Sequence, residues 1–534
     1  MKKGLVLVGA FVGAVWGLQA EISLSRVFSD NMVLQRGKPV PVWGWAKTGA
    51  TVSVSFAGQT KTVVASADGA WRVTLDALAI CKDGRELVVT ETLPKQKKPA
   101  SAVTVRNVLV GEVWVLSGQS NMQWKVNATD DYPKVLKRAN YPLLRYLQNN
   151  EGAIAAQPTR QLPSAARWVV TTTNEVGSYS ASGFYFGERL MLDLDVPVGL
   201  IMTACGGTSM ANWTPRDWMA KDPSQKAVLE RYERESAEWV ATNGYADACA
   251  AHGEAIRKWA EDLHSFYQKK GKYPWPRPAP PLFTTNWKGN RAPCVHYNAK
   301  IAPLAGLAVA GVLWYQGETE SWAYNIHDPA SKFAEMLGTL IKGWRAAWGE
   351  EIPFVVAQLP SMASNDKRNH GWPVVRCRQR QLTHELPNVG AAPILDSGWE
   401  HDVHPHDKTV VGERLARVAR RMVYGDTTVA PPPEFAGAEF TEQGAVLKVA
   451  SETKLEGRGT PRGFQLKFGD EWVDAVPELR ADGTVFVASP AGRGTPGGGA
   501  LSVEGLGQAG RLALRRAGRP AFVLFVSVHG LVNG

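Results

Sequence analysis

Between residues 108 and 428 the chain repeats one unit: a continuous apolar run of strand length, a cluster of polar or glycine residues, then a stretch of helical periodicity. The apolar runs lie at 108–116, 196–202, 304–315, 353–357 and 389–395. Runs that do not alternate with polar residues suit strands buried on both faces, and such strands belong to a parallel sheet covered by helices. Phe184, Gly187, Met191 and Leu194 recur at helical spacing, as do Val411, Leu415, Val418 and Met422. The predicted fold class is α/β: a parallel sheet in an α/β/α sandwich.

Ligands of open α/β sheets bind outside the carboxyl ends of the strands, and that is where this chain concentrates its polar residues. The first run breaks at Gly118 and leads to Ser120-Asn121. The second leads to Cys205-Gly206-Gly207-Thr208, the third to Gln316-Gly317-Glu318-Thr319-Glu320, the fourth to Gln358, and the fifth to Asp396 and then Asp402-Val403-His404-Pro405. A serine just past a core strand suits a nucleophile, because the strand fixes its position while the turn exposes Oγ. The other reading is a strand-to-loop turn whose Ser and Asn satisfy backbone groups. It is not the G-x-S-x-G elbow, since Met122 stands at the second glycine.

Asp402 and His404 are two apart, so in an extended segment both side chains leave one face and the carboxylate can orient the ring. That arrangement presents Nε2 to Ser120 as a base. Oxyanion donors are sought in the backbone N–H of Ser120, a backbone N–H of Gly206 or Gly207, and the side-chain amides of Asn121 and Gln316. Glu318 reads equally as a second carboxylate for His404 or as a buried structural acid, and the two glycines also read as a tight turn. A metal reading of His401, Asp402, His404 and His406 is weak, because no H-E-x-x-H occurs and the spacing does not put three ligands on one helical face. Trp124, Trp213, Trp314 and Trp322 lie near these residues in sequence and read as packing or as stacking surfaces for sugar.

Around this core the grammar changes. Residues 1–20 read as a removable export signal, with Lys2 and Lys3 before an apolar middle too short to span a membrane. Export to a periplasm or the medium is expected, with no membrane insertion. Losing the two lysines takes the formal charge from +10 to +8, a mildly basic surface that suits acidic sugars or only aids solubility. No Lys/Arg block interleaved with aromatics occurs, which argues against nucleic acid. The five cysteines are scattered and make no disulfide framework or C-x-x-C site, though a single bridge is conceivable. Residues 21–107 alternate as a small β domain, with Ala67-Asp68-Gly69-Ala70 as a hairpin signal. Residues 108–428 form the expected catalytic domain with a charged helical insertion at about 222–270, and residues 429–534 a second β domain whose tail after 490 is left unassigned.

Phe28-Ser29-Asp30-Asn31-Met32-Val33-Leu34-Gln35, Pro41-Val42-Trp43-Gly44-Trp45, the segment from Leu116 through Ser117-Gly118-Gln119-Ser120-Asn121-Met122, Trp314-Tyr315-Gln316-Gly317-Glu318 and Asp402-Val403-His404-Pro405 together resemble the sialate O-acetylesterases, from about residue 22 to 490. The resemblance implies an SGNH-type hydrolase with accessory β domains, needing no cofactor, that removes O-acetyl esters from sialic acid with Ser120 as nucleophile, His404 as base and Asp402 as its partner. Two departures stand out. The family's Gln-Gly-Glu-Ser-Asn is here Gln316-Gly317-Glu318-Thr319-Glu320, so no asparagine stands at 320, and the family's aromatic-rich ending is missing after 490. An esterase for another acetylated polysaccharide such as acetylxylan, using the same residues, and a silent carbohydrate-binding protein are the alternative readings.

Overall fold

The computed structural model describes residues 22–149, 151–242, 244–269, 278, 291–321, 332–362, 371–399, 402–432, 434–441, 443–450, 464–468, 471–489 and 501–503. The expected export signal, Trp322, His401 and nearly all of the tail after 490 lie outside the described residues.

Eight strands open the chain: β1 (Ser23–Leu24), β2 (Val33–Gln35), β3 (Val40–Trp45), β4 (Thr51–Phe56), β5 (Gln59–Val64), β6 (Ala70–Leu75), β7 (Cys81–Thr92) and β8 (Ser101–Gly118). β1, β3 and β6 make one antiparallel sheet, and β4, β5 and β7 pair into another that β8 joins. Val40 and Val42 of the first sheet and Val52, Val54 and Phe56 of the second alternate inward, as a half-buried sheet requires.

The last of these strands joins the two architectures. β8 pairs antiparallel with β7 through residues 101–110, then runs on to lie in the middle of a second, mostly parallel sheet. The expected domain boundary at 107/108 therefore falls inside a single continuous strand. The other members are β9 (Tyr141–Gln148), β10 (Arg167–Thr171), β11 (Val198–Met202), β12 (Gly311–Tyr315), β13 (Phe354–Ala357) and β14 (Val389–Ala392). Their order is β10-β9-β11-β8-β12-β13-β14, parallel except for the edge strand β10. The apolar run at 304–315 is strand only in its last five residues, because a positive φ at Gly306 turns the chain before it enters the sheet.

The helices are α1 (Ser120–Gln123), α2 (Tyr132–Arg138), α3 (Ala181–Leu194), α4 (Arg216–Met219), α5 (Lys226–Ala241), α6 (Gly244–Lys269), α7 (Glu318–Ser321), α8 (Phe333–Trp348), α9 (Gly371–Glu385) and α10 (Thr409–Tyr424). Alternation along the central strands decides which helix each meets. Trp114 points to one face, where its ring meets Phe186 of α3 edge-on at 5.0 Å and its Nε1 donates to Tyr424 of α10. Trp314 points to the other and meets Trp344 of α8 at 6.0 Å. The expected insertion is the pair α5 and α6, of which α5 buries only Leu229.

The amino-terminal sheets and the central sheet share one continuous core, whereas the strands after residue 433 surround a separate small one built on Leu447, Phe464, Leu466, Val485 and Val487. All five cysteines are free. Among the described residues no helix is long and apolar enough to cross a membrane.

Candidate active site

Gly118 ends β8 with φ +127°, and a Cβ there would lie 2.1 Å from the Tyr315 carbonyl oxygen. Only glycine fits this conformation and this approach. The turn that follows is tied to both neighbouring strands: Gln119 N–H donates to Tyr315 O at 3.0 Å, and Cys205 N–H to Gly118 O at 3.1 Å. Ser120 is therefore the first residue of α1, and its N–H has no partner among the described residues. The carbonyls of α1 are held by the start of α3: Ser180 Oγ donates to Met122 O at 2.6 Å, Ser182 Oγ to Asn121 O at 3.3 Å, and Ala181 N–H to Trp124 O at 2.7 Å. A one-turn helix, marginal alone, is thus fixed at both ends.

Opposite this turn, His404 Nε2 lies 2.8 Å from Ser120 Oγ. The Asp402 carboxylate sits 3.6 Å from His404 Nδ1, an ion-pair distance, and the same oxygen accepts the His404 N–H at 2.8 Å. Trp124 stacks on the His404 ring at 5.0 Å and on His406 at 5.4 Å. Burial pulls the His404 imidazole below its ordinary value, Asp402 opposes this, and Lys408 and His406 reinforce it. The pair has the geometry of an activated hydroxyl facing an unprotonated base.

The other expected residues divide sharply. Gly206 lies against the serine, with a Cβ there 3.3 Å from Ser120 Cβ, but its N–H donates to Gln123 Oε1 at 2.6 Å. That donor is occupied, whereas Gly207, exposed at φ +69°, has an N–H with no partner among the described residues. Asn121 departs from the oxyanion expectation: both amide hydrogens are committed, to Glu318 at 2.5 Å and to Val403 O at 2.9 Å. Its Oδ1 accepts from the Lys408 ammonium at 2.5 Å. Glu318 consequently faces Asn121 rather than the imidazole, and burial raises its carboxyl above the ordinary value.

Gln316 is fully buried and its amide donates to Glu320. Glu320, where the family pattern has asparagine, also accepts the Met210 N–H at 2.6 Å, so it ties the loop after β11 to the loop after β12. Gln358 holds Arg376 O at 3.1 Å, and Asp396 takes Arg414 at 2.5 and 2.6 Å. Trp213 and Trp314 are core, each 0% exposed.

Two contributors carry no local sequence signal. Lys408, four residues past His404 at the start of an amphipathic helix, reads as solvent-facing but is 0% exposed. Burial draws its ammonium down to about 7, against Glu318, Asp402 and Asp407. Gln123, which bridges Gly206 to Glu151, is found only once the turn is folded.

Comparison with known proteins adds an independent line. Residues 110–242 and 285–421 match the sequence model of a family described as carbohydrate esterase, sialic acid-specific acetylesterase. The sialate O-acetylesterase of Rattus norvegicus is 28% identical over 462 residues, covering 79% of this chain and 77% of its own length. That of Homo sapiens is 26% identical over 445 residues, with coverage of 76% and 72%. A crystal structure of a carbohydrate acetylesterase from Xanthomonas citri superposes with a TM-score of 0.70 at 28% identity, covering 90% of this chain and 93% of that one.

Proposed function

This chain belongs to the sialic acid-specific acetylesterase family of carbohydrate esterases, and from that premise we propose that it removes O-acetyl groups from sialic acids through a serine-bound acetyl intermediate. The observation that carries the reading is the 2.8 Å approach of His404 Nε2 to Ser120 Oγ. Ser120 Oγ attacks the acetyl carbonyl while His404 takes its proton. The oxyanion meets the unshared N–H of Ser120 and that of Gly207. Collapse expels the sugar alkoxide, which recovers the proton from His404, and water activated by the same imidazole releases acetate. Asp402 holds the imidazolium that forms between these steps.

The amino-terminal segment 1–20 supports export of the enzyme, which amino-terminal sequencing of protein from the periplasm or medium would check. The substrate assignment is tested by acetate release from O-acetylated sialic acid beside acetylxylan. Turnover of the sialic acid ester, lost in Ser120→Ala, is expected. Turnover of acetylxylan alone would move the assignment to plant polysaccharide, and no serine-dependent release from either would remove the esterase reading.

A further inference from the structure

We propose that Lys408 is a positioning residue for the Ser120–His404 pair, its buried ammonium locking the nucleophile's turn to the base's loop through Asn121. The inference rests on the esterase reading above. Asn121 follows the nucleophile directly, and Val403, whose carbonyl it holds, precedes the base directly. One amide therefore spans the two halves of the reacting pair. Lys408 completes its hydrogen bonding: Glu318 and Val403 O accept both amide hydrogens, and the ammonium donates to the Oδ1 left on the other side. Without that donor Oδ1 is a buried acceptor left unsatisfied, and the amide's hold on the two halves is weakened.

The ammonium is itself seated. It lies 6.0 Å from the Trp124 ring centre and 5.6 Å from that of Tyr315, within reach of both π faces. Among the described residues the charged and titratable groups around it are Glu318 from α7, Tyr315 from β12, and Asp402, His404 and Asp407 from the loop before α10. His404 in turn faces Asp402, His406 and Lys408, with Asp130 on the far side of His406 at 3.4 Å. Being 0% exposed, Lys408 makes no contact with substrate. It acts on where the base stands and, as a cation beside it, on the base's readiness to take a proton.

The test is steady-state kinetics with p-nitrophenyl acetate across pH, on native protein, Lys408→Met, Asn121→Ala and Ser120→Ala, with thermal melts to establish folding. For Lys408→Met the expectation is a fall in kcat of about tenfold or more with KM within about twofold. The acid limb of kcat/KM should move to higher pH, because losing a neighbouring cation makes the imidazole easier to protonate. Asn121→Ala, which keeps the cation, should lose kcat with the acid limb in place. A purely structural role would lower the melting temperature without moving that limb. If Lys408→Met does not fold, the paired Lys408→Met/Glu318→Gln variant, which buries no unpaired charge, is read by the same criteria. Native kcat or an unmoved acid limb in the folded variant overturns the inference alone, whereas native protein without Ser120-dependent turnover overturns it together with the esterase reading.

Discussion

At the scale of single residues the arrangement separates a base that is ready from a carboxylate that is only loosely attached to it. His404 is held below the ordinary imidazole value of 6.5. Only its unprotonated form can accept the Ser120 proton, so activity is lost as pH falls through the lowered value, and the acid limb of kcat/KM should lie below 6.5. The Asp402 side chain is 41% exposed and 3.6 Å from Nδ1, so its contribution is partly screened by water. Asp402→Asn should cost about 10- to 100-fold in kcat, short of the ~10,000-fold seen where such an aspartate is buried. Losing its negative charge should also shift the acid limb further down, which the same pH–rate profile measures. Ser120, Asp402 and His404 are legible in sequence because strand-end placement and a two-residue spacing are local facts. Lys408 is not, and Asn121 is legible only as an oxyanion candidate and not as the bridge it forms, because these roles come from contacts spanning 287 positions.

The secondary-structure elements explain why a flexible-looking motif can be rigid. β8 enters from the amino-terminal sheet, crosses the whole layer and delivers Gly118 to a point where two neighbouring strands hold the following turn. Gly118→Ala places a methyl 2.1 Å from Tyr315 O at φ +127°. The expected cost is at least about 2 kcal/mol in urea unfolding, with loss of esterase activity; a variant as stable and active as the native protein would contradict this account of the turn. The five buried runs were visible as runs because both faces of those strands are covered. β9 is hidden for a different reason. Its sequence is broken by Pro142 and by Arg145, a buried arginine that bonds Pro142 O at 2.7 Å and reaches Asn31 and Asn107, so a central strand reads as polar and discontinuous.

Across the whole molecule, the site is held together by buried ionisable groups that make stability depend on pH. Glu320 links the loops after β11 and β12, and burial pushes its carboxyl from 4.5 up to about 7. The folded state therefore binds a proton that the unfolded chain has released, and the stability this gives is present below 4.5 and lost as pH rises through about 7. Glu320→Gln should flatten the decline in melting temperature between about pH 5 and about pH 8 relative to the native protein. Parallel curves for the two proteins would contradict the assignment. The replacement can keep its contacts, since Gln316 Oε1 is buried without a partner among the described residues and can turn to accept from the new amide. The family motif makes position 320 conspicuous in sequence, but the two loops it joins, around Met210 and Gln316, become neighbours only when the sheet closes.

The most direct trial of the central claim is a rapid quench of native protein with p-nitrophenyl acetate, followed by mass spectrometry of the digested chain. One acetyl group on the peptide containing Ser120, formed in a burst that matches the enzyme concentration and absent from Ser120→Ala, is the predicted result. An acetyl group on another residue, or acetate release that continues unchanged in Ser120→Ala, would contradict it.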